Sequence, residues 1–197
     1  MNLLKPLIVS LTGASGISYG VRLVDALLEL EHEVILITSE HGELVAKIEM
    51  DMDLKVYMHK EGITSFNEEN IAASVASGSF LTAGMVVCPC SAKTLALIAN
   101  GLEMNLIARA ASVTLKEGRK LVLVPRETPL SLPIIENFHK AFLAGAVILP
   151  AMPGFYHKPT SIKELEDFIV GKILDQFGIE HNLYRRWGER GGKNERY

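Results

Sequence analysis

The 197-residue sequence is poor in cysteine and tryptophan and has only a small excess of one charge sign. Cys88 and Cys90 are separated by Pro89 alone, which excludes a disulfide framework and is one residue too tight for a C-x-x-C redox pair. They are expected as buried thiols. The histidines at 32, 41, 59, 139, 157 and 181 show neither H-x-x-x-H nor H-E-x-x-H spacing, so no metal set is expected. Long apolar runs are missing as well. Leu7 to Leu11 is shorter than a signal h-region, and the uncharged run from Ile71 to Ala92 includes eight Ser, Thr, Gly or Pro residues. That run is a poor membrane helix and is expected to be buried; no membrane partner and a cytoplasmic location are expected. Net charge is -3, and the tail from Tyr184 to Tyr197 holds five Lys or Arg against two Glu, leaving 15 basic against 21 acidic residues elsewhere. Such a body repels phosphate backbones, so no nucleic-acid partner is expected.

Apolar residues, by contrast, make up 48% of the chain, enough for a sizeable core in one domain spanning 1–197. Short apolar runs alternate with helical periodicity. Pro6 to Thr12 reads as a strand followed by a helix from Ile17 to Leu30, and Glu33 to Thr38 as a strand followed by a helix from Glu40 to Ile48. Met85 to Cys88 is a strand before a helix opening at Ser91, and Leu121 to Val124 a strand before a helix from Leu130 to Ala144. Ala146 to Leu149 is the last strand. The helix Ile162 to Phe177 opens with the capping-box pattern Ser161-x-x-Glu164. This order predicts a three-layer α/β/α fold with a mostly parallel sheet covered on both faces. Residues 51 to 70 lack a pattern and read as a surface excursion.

In such sheets ligands sit at the carboxyl ends of the strands. The first end, Thr12-Gly13-Ala14-Ser15-Gly16-Ile17-Ser18-Tyr19-Gly20, is either a structural turn or an anion seat at a helix start. It fits neither G-x-G-x-x-G nor the Walker pattern, so neither NAD nor ATP is indicated. Ser39 and Ser91 each read as a helix N-cap or an anion contact, and Lys93 as a cation for that anion or an exposed residue. Glu49 reads as part of a solvated helix face. Arg109 and Lys116, seven apart, share one helix face about 10 Å apart. They are a basic solvated face, or contacts that one phosphate could meet only across subunits or by long reaches. Arg126-Glu127 follows a buried strand, as an internal salt bridge or as a proton-transferring carboxyl beside a phosphate-binding Arg. The loop Pro150 to Pro159 displays aromatics that wall a ligand or merely pack. Lys172 sits in an apolar helix arc, either snorkelling or lining an anion pocket.

Taken together, the segments GASGISYG, CPCSAKTLALIANG, NLIARAASVTLKEGRKLVLVPRETPLS, PAMPGFYHKP and YRRWG resemble the UbiX-type flavin prenyltransferases, in order over nearly the whole chain. The resemblance implies a flavodoxin-like, Rossmann-like fold in a homo-oligomer, commonly a dodecamer, with the tail of about 180–197 docking on neighbouring subunits. It implies metal-independent joining of dimethylallyl monophosphate to N5 and C6 of reduced FMN, giving prenylated FMN for a UbiD-type decarboxylase.

By that resemblance Gly13, Ala14, Ser15, Ser39, Ser91, Ala92, Lys93, Thr94 and Arg126 hold FMN. Arg109, Lys116, Glu127, Tyr156 and Lys172 surround the prenyl phosphate, some from another subunit. Ser15, Glu49, Glu127, Lys116 and Trp187 take part in catalysis: Ser15 and Glu49 in a proton network, Glu127 as a proton carrier, Lys116 on the leaving phosphate and Trp187 as an aromatic wall. Lys172 stands where the family usually has Arg, which keeps the charge and loses the bidentate fork. The competing readings are an FMN-dependent cysteine decarboxylase of the same fold, for which His59 is the candidate histidine, and a non-catalytic FMN carrier.

Overall fold

The computed structural model describes residues 5–188. The chain runs β1 (Leu7–Leu11), α1 (Ile17–Glu29), β2 (Val34–Thr38), α2 (Glu40–Met50), α3 (Leu54–Tyr57), β3 (Ile63–Asn67), β4 (Gly84–Cys90), α4 (Ala92–Ala99), α5 (Leu106–Lys116), β5 (Lys120–Pro125), α6 (Leu132–Leu143), β6 (Val147–Ile148) and α7 (Ile162–Phe177). All strand pairs are parallel, in the order β3-β2-β1-β4-β5-β6. The order reverses between β1 and β4, the switch point at which α/β sheets open a crevice at their carboxyl ends.

Strand alternation feeds two cores. Leu7, Val9 and Leu11 of β1, with Val122 and Val124 of β5, meet α1 and α7 residues such as Leu23, Val24, Ile169 and Ile173. Ile8, Leu121 and Leu123 point to the other face, against Leu95, Leu106, Ile107 and Ala110 of α4 and α5. Both layers are buried because successive side chains of a strand take opposite faces. Gly20 lets α1 lie directly on the sheet: a Cβ there would collide with the carbonyl oxygen of Cys88 and with Leu11. Both thiols are buried; burial pushes Cys88 far up and Cys90 up to about 12, so neither is a thiolate nucleophile near neutral pH.

Two stretches depart from the sequence reading. Residues 51–70 are not simply a surface excursion, since Ile63–Asn67 pairs with β2 as the edge strand β3. None of its residues is fully buried, so it lacks the apolar run that marks the inner strands. The uncharged run from Ile71 is buried only in part: Ile71 and Leu81 are exposed, and full burial runs through Gly84–Cys90, where the chain enters the sheet. No helix among the described residues is long and apolar enough to cross a membrane.

The tail folds back on its own chain up to residue 188. Tyr184 and Arg186 bond the carboxylate of Asp175 on α7. The expected docking on neighbouring subunits falls in part on 189–197, outside the described residues.

Candidate active site

At the switch point, Thr12 ties the two halves of the sheet together. Its hydroxyl donates to the carbonyl of Pro89 at 2.7 Å and accepts from the backbone N–H of Ser91 at 2.8 Å. The ends of β1 and β4 are thereby fixed side by side, and the loops after them share one crevice. Helices α1, α2 and α4 all begin here, directing N–H groups toward it. Ser39 caps α2 by accepting from Gly42 N–H at 3.0 Å, and Ser91 caps α4 by accepting from Thr94 N–H at 3.2 Å. The capping reading of both serines therefore holds, and it leaves their hydroxyl protons available: Ser91 directs its own to the Thr94 hydroxyl at 3.0 Å.

The crevice has a volume of about 250 Å³ and is lined by Gly13, Ser39, Ser91, Ala92, Lys93, Thr94 and Glu127, together with His41 and Glu68. The first seven are positions the sequence singled out. His41 and Glu68 carried no signal: one is a lone histidine on a helix start, the other lies beyond the unrecognised β3. Glu68 reaches both neighbours of the crevice, accepting from Glu40 N–H at 3.2 Å and from the Asn105 amide that caps α5. Gly13 is required by crowding, because a Cβ there would collide with Cβ of His41. The loop backbone can therefore lie close to a bound group, with room on the crevice side only.

Glu49 lies on an exposed helix face, but its carboxylate is engaged. One carboxylate oxygen accepts from Gly16 N–H at 2.9 Å and from Ile17 N–H at 3.2 Å, which caps α1 where Gly16, with φ 86°, offers no side chain. Desolvation would raise this carboxyl. It is outweighed by hydrogen bonds from the Ser15 hydroxyl and from the Gly16 and Ile17 N–H groups and by the nearby Arg126, so Glu49 sits below its usual value. Arg126 crosses from the end of β5 and donates to the Ser15 carbonyl at 3.0 Å. Ser15, Glu49 and Arg126 thus form one unit on the α1 loop.

Arg126 and Glu127 are not an ion pair among the described contacts. Arg126 turns inward to Ser15, whereas exposed Glu127 accepts only from the adjacent Thr128 N–H, at 3.0 Å. The salt-bridge alternative fails because consecutive residues leaving a strand point to opposite sides. The carboxyl of Glu127 remains open to the crevice.

Five expected residues lie elsewhere in the single chain. On α5, Arg109 is bound to Glu103 and to the carbonyl of Ala76, and Lys116 to Glu117 at 3.0 Å. Helix α5 starts at the Glu68 end and finishes where the chain enters β5, so Lys116 lies at the amino edge of the sheet, away from its own crevice. Tyr156 and Trp187 meet edge-on with ring centroids 5.2 Å apart, and Tyr156 meets Phe168 of α7 at 5.9 Å. Lys172, half-buried, follows Phe168 by one turn on the same helix face. Of the five, Lys116 is the one placed at the opposite edge of the sheet; the loop that carries Tyr156 leaves the carboxyl end, where the Ala151 N–H donates to the Pro125 carbonyl at 3.1 Å.

His59 donates from Nδ1 to the Lys55 carbonyl oxygen at 2.7 Å, on the exposed turn after α3, and lines no part of the crevice. Among the described residues no group of three or more His, Cys, Asp or Glu could hold a metal ion. A flavin mononucleotide fits the crevice residues. Its phosphate would find serine and threonine hydroxyls and helix N–H groups.

The family model described as Flavoprotein matches residues 2–173. The flavin prenyltransferase UbiX of Alkalihalophilus pseudofirmus is 47% identical over 194 residues, covering 94% of this chain and 97% of that protein. The crystal structure of AnUbiX (PadA1) in complex with FMN and dimethylallyl pyrophosphate superposes with a TM-score of 0.89 at 40% identity, over 95% of this chain and 100% of that one. A dodecameric FMN-dependent UbiX-like decarboxylase from Escherichia coli O157:H7 gives 0.88 at 43% identity, over 92% and 98%. The FMN-dependent cysteine decarboxylase TvaF shares the fold alone, with a TM-score of 0.55 at 16% identity over 73% of this chain and 88% of that one. At this identity and coverage, the chain belongs to the UbiX flavin prenyltransferase family of flavoproteins.

Proposed function

We propose that this chain is a metal-independent, cytoplasmic flavin prenyltransferase that joins the dimethylallyl group of dimethylallyl monophosphate to N5 and C6 of reduced FMN. The observation that carries the reading is the shared use of Ser15: its loop lines the crevice through Gly13, its hydroxyl helps hold the Glu49 carboxyl below its usual value, and its carbonyl anchors Arg126. A cradle for a flavin and a relay for a proton are thus built on one residue. Prenylated FMN is a cofactor rather than an end product, which makes a UbiD-type decarboxylase its recipient.

When bound, reduced FMN supplies two nucleophilic positions on one edge of its ring system. The protein's part is positioning and electrostatics. Gly13, Ala14 and Ser15, the Ser39 hydroxyl, the Ser91 to Thr94 turn with Ala92 and Lys93, and Arg126 hold the flavin. Arg109, Lys116 and Lys172, with the Tyr156 hydroxyl, receive the departing phosphate; three cations meet a monophosphate without an acidic metal site. Tyr156 and Trp187 present ring faces to the allyl-cation-like state. The Ser15 hydroxyl, with Glu49 behind it, and the open carboxyl of Glu127 would serve to carry protons to and from the reacting groups.

The position of Lys116 supports a homo-oligomer, with a dodecamer as the expected form. Lys116 at the amino edge of the sheet reaches a crevice only if that crevice belongs to another subunit. Anaerobic incubation of the protein with reduced FMN and dimethylallyl phosphate, in the presence of a chelator, tests the reading. Mass spectrometry should find FMN enlarged by one prenyl unit. Loss of product on chelation, or release of CO₂ from a cysteinyl substrate instead, overturns it. Glu127→Gln separates enzyme from carrier: FMN binding persists, and turnover drops by about 100-fold or more if Glu127 is the proton carrier.

A further inference from the structure

Asp175 belongs to none of the groups assigned above, yet it is the most heavily bonded carboxylate described. It accepts from the Tyr184 hydroxyl at 2.7 Å and from both terminal nitrogens of Arg186 at 2.7 and 3.1 Å, the forked geometry of a guanidinium on a carboxylate. His181 is the third partner, its Nε2 lying 3.2 Å away. The Nδ1 of His181 accepts from Leu183 N–H at 3.2 Å, so the proton of the neutral ring belongs on Nε2 and points at Asp175. All three partners lie on the tail that follows α7. Desolvation would raise the Asp175 carboxyl, but these hydrogen bonds and the Arg186 charge bring it down to about 2, which keeps it ionised throughout the neutral range.

The tail can lie this close only because residue 171 is glycine: a Cβ there would come within 2.7 Å of both His181 and Tyr184. Tyr184 then packs on Phe168 with ring centroids 4.9 Å apart, and Arg186 lies over the Tyr184 ring at 5.4 Å. The residue after Arg186 is Trp187, whose own side chain is 73% exposed and meets Tyr156 edge-on.

We infer that Asp175 is a positioning residue for prenyl transfer: by clasping Tyr184, Arg186 and His181 it fixes the tail so that Trp187 stands against Tyr156 as one wall of the prenyl site. This rests on the proposed function for its kinetic consequence and on geometry alone for the clasp. A wall displaced by about 1 Å costs about 100-fold in a reaction that depends on orientation.

Trp187 is the chain's single tryptophan, so its fluorescence reports this segment without labelling. In Asp175→Ala, Trp187 anisotropy should fall and acrylamide quenching should rise. The kcat/KM for dimethylallyl phosphate should drop by about 100-fold while the FMN Kd stays unchanged, because the flavin crevice is built by other elements. Asp175→Asn, which keeps one acceptor, should be intermediate. If Asp175 acts through the tryptophan, Asp175→Ala combined with Trp187→Ala is no slower than Trp187→Ala alone. Wild-type-like anisotropy and quenching in Asp175→Ala overturn the clasp. Losses that multiply in the double variant overturn its action through Trp187. Absence of prenyl transfer by the wild-type protein would instead sink the proposed function, with the fluorescence still deciding whether the clasp exists.

Discussion

Replacing Glu49 by Gln isolates the charge that closes the flavin loop. Gln keeps an oxygen for the Gly16 or Ile17 N–H, so the cap of α1 survives, but the negative charge facing the helix N-terminus, the Ser15 hydroxyl and Arg126 is lost. A carboxylate at a helix start contributes about 0.3–1 kcal/mol, and Glu49 is exposed, which screens its attraction to Arg126. We therefore expect Glu49→Gln to be less stable by about 0.5–1 kcal/mol at neutral pH, a fall in Tm of about 1–4 °C for a chain of this size. The pH dependence has a definite sign. The folded-state value of Glu49 is depressed, so its contribution is complete above the unfolded value and disappears as pH falls through the lower, folded one. The gap in Tm between wild type and Glu49→Gln should accordingly be widest near neutrality and close below the ordinary carboxylate range. Thermal melts at fixed protein concentration across that range measure it. A gap that stays constant into acid would refute the electrostatic account and leave only a shape effect. In the anaerobic assay the same variant should retain FMN and lose about 100-fold in turnover, since Ser15 loses its ionised partner.

Gly13→Ala places a methyl group against Cβ of His41, and an overpacked contact of that kind costs about 1–3 kcal/mol. Flavin fluorescence titration should show FMN affinity lowered by about tenfold or more, whereas unchanged affinity would mean that the loop yields freely. Lys172→Arg adds a planar fork where a point charge now stands. The KM for dimethylallyl phosphate should fall and its rise with added salt should flatten, and identical salt profiles would remove Lys172 from the phosphate site.

Much of the site was legible because it is local. The turn Thr12 to Gly20, the caps Ser39 and Ser91 and the Arg126-Glu127 step lie at strand ends, and strand ends follow from apolar runs of four to six residues. What stayed hidden is carried by long-range pairing. Glu49 lies on a helix whose exposed face looks ordinary until its carboxylate is seen 2.9 Å from Gly16, 33 residues earlier. Glu68 follows an edge strand without a buried residue, and His41 gave no sign beyond its composition. Asp175 reads as one more polar residue near a helix end until the tail returns to it.

The sequence by itself determined the layered α/β plan, the buried thiols and the chemical character of the first loop, because each depends on periodicity, burial tendency or glycine within a few residues. The register of β3, the joining of β1 to β4 through Thr12 and the return of the tail to Asp175 were decided only in the folded chain. Those arrangements depend on which distant segments pack together, and packing is set by the shape of the whole core rather than by any local pattern.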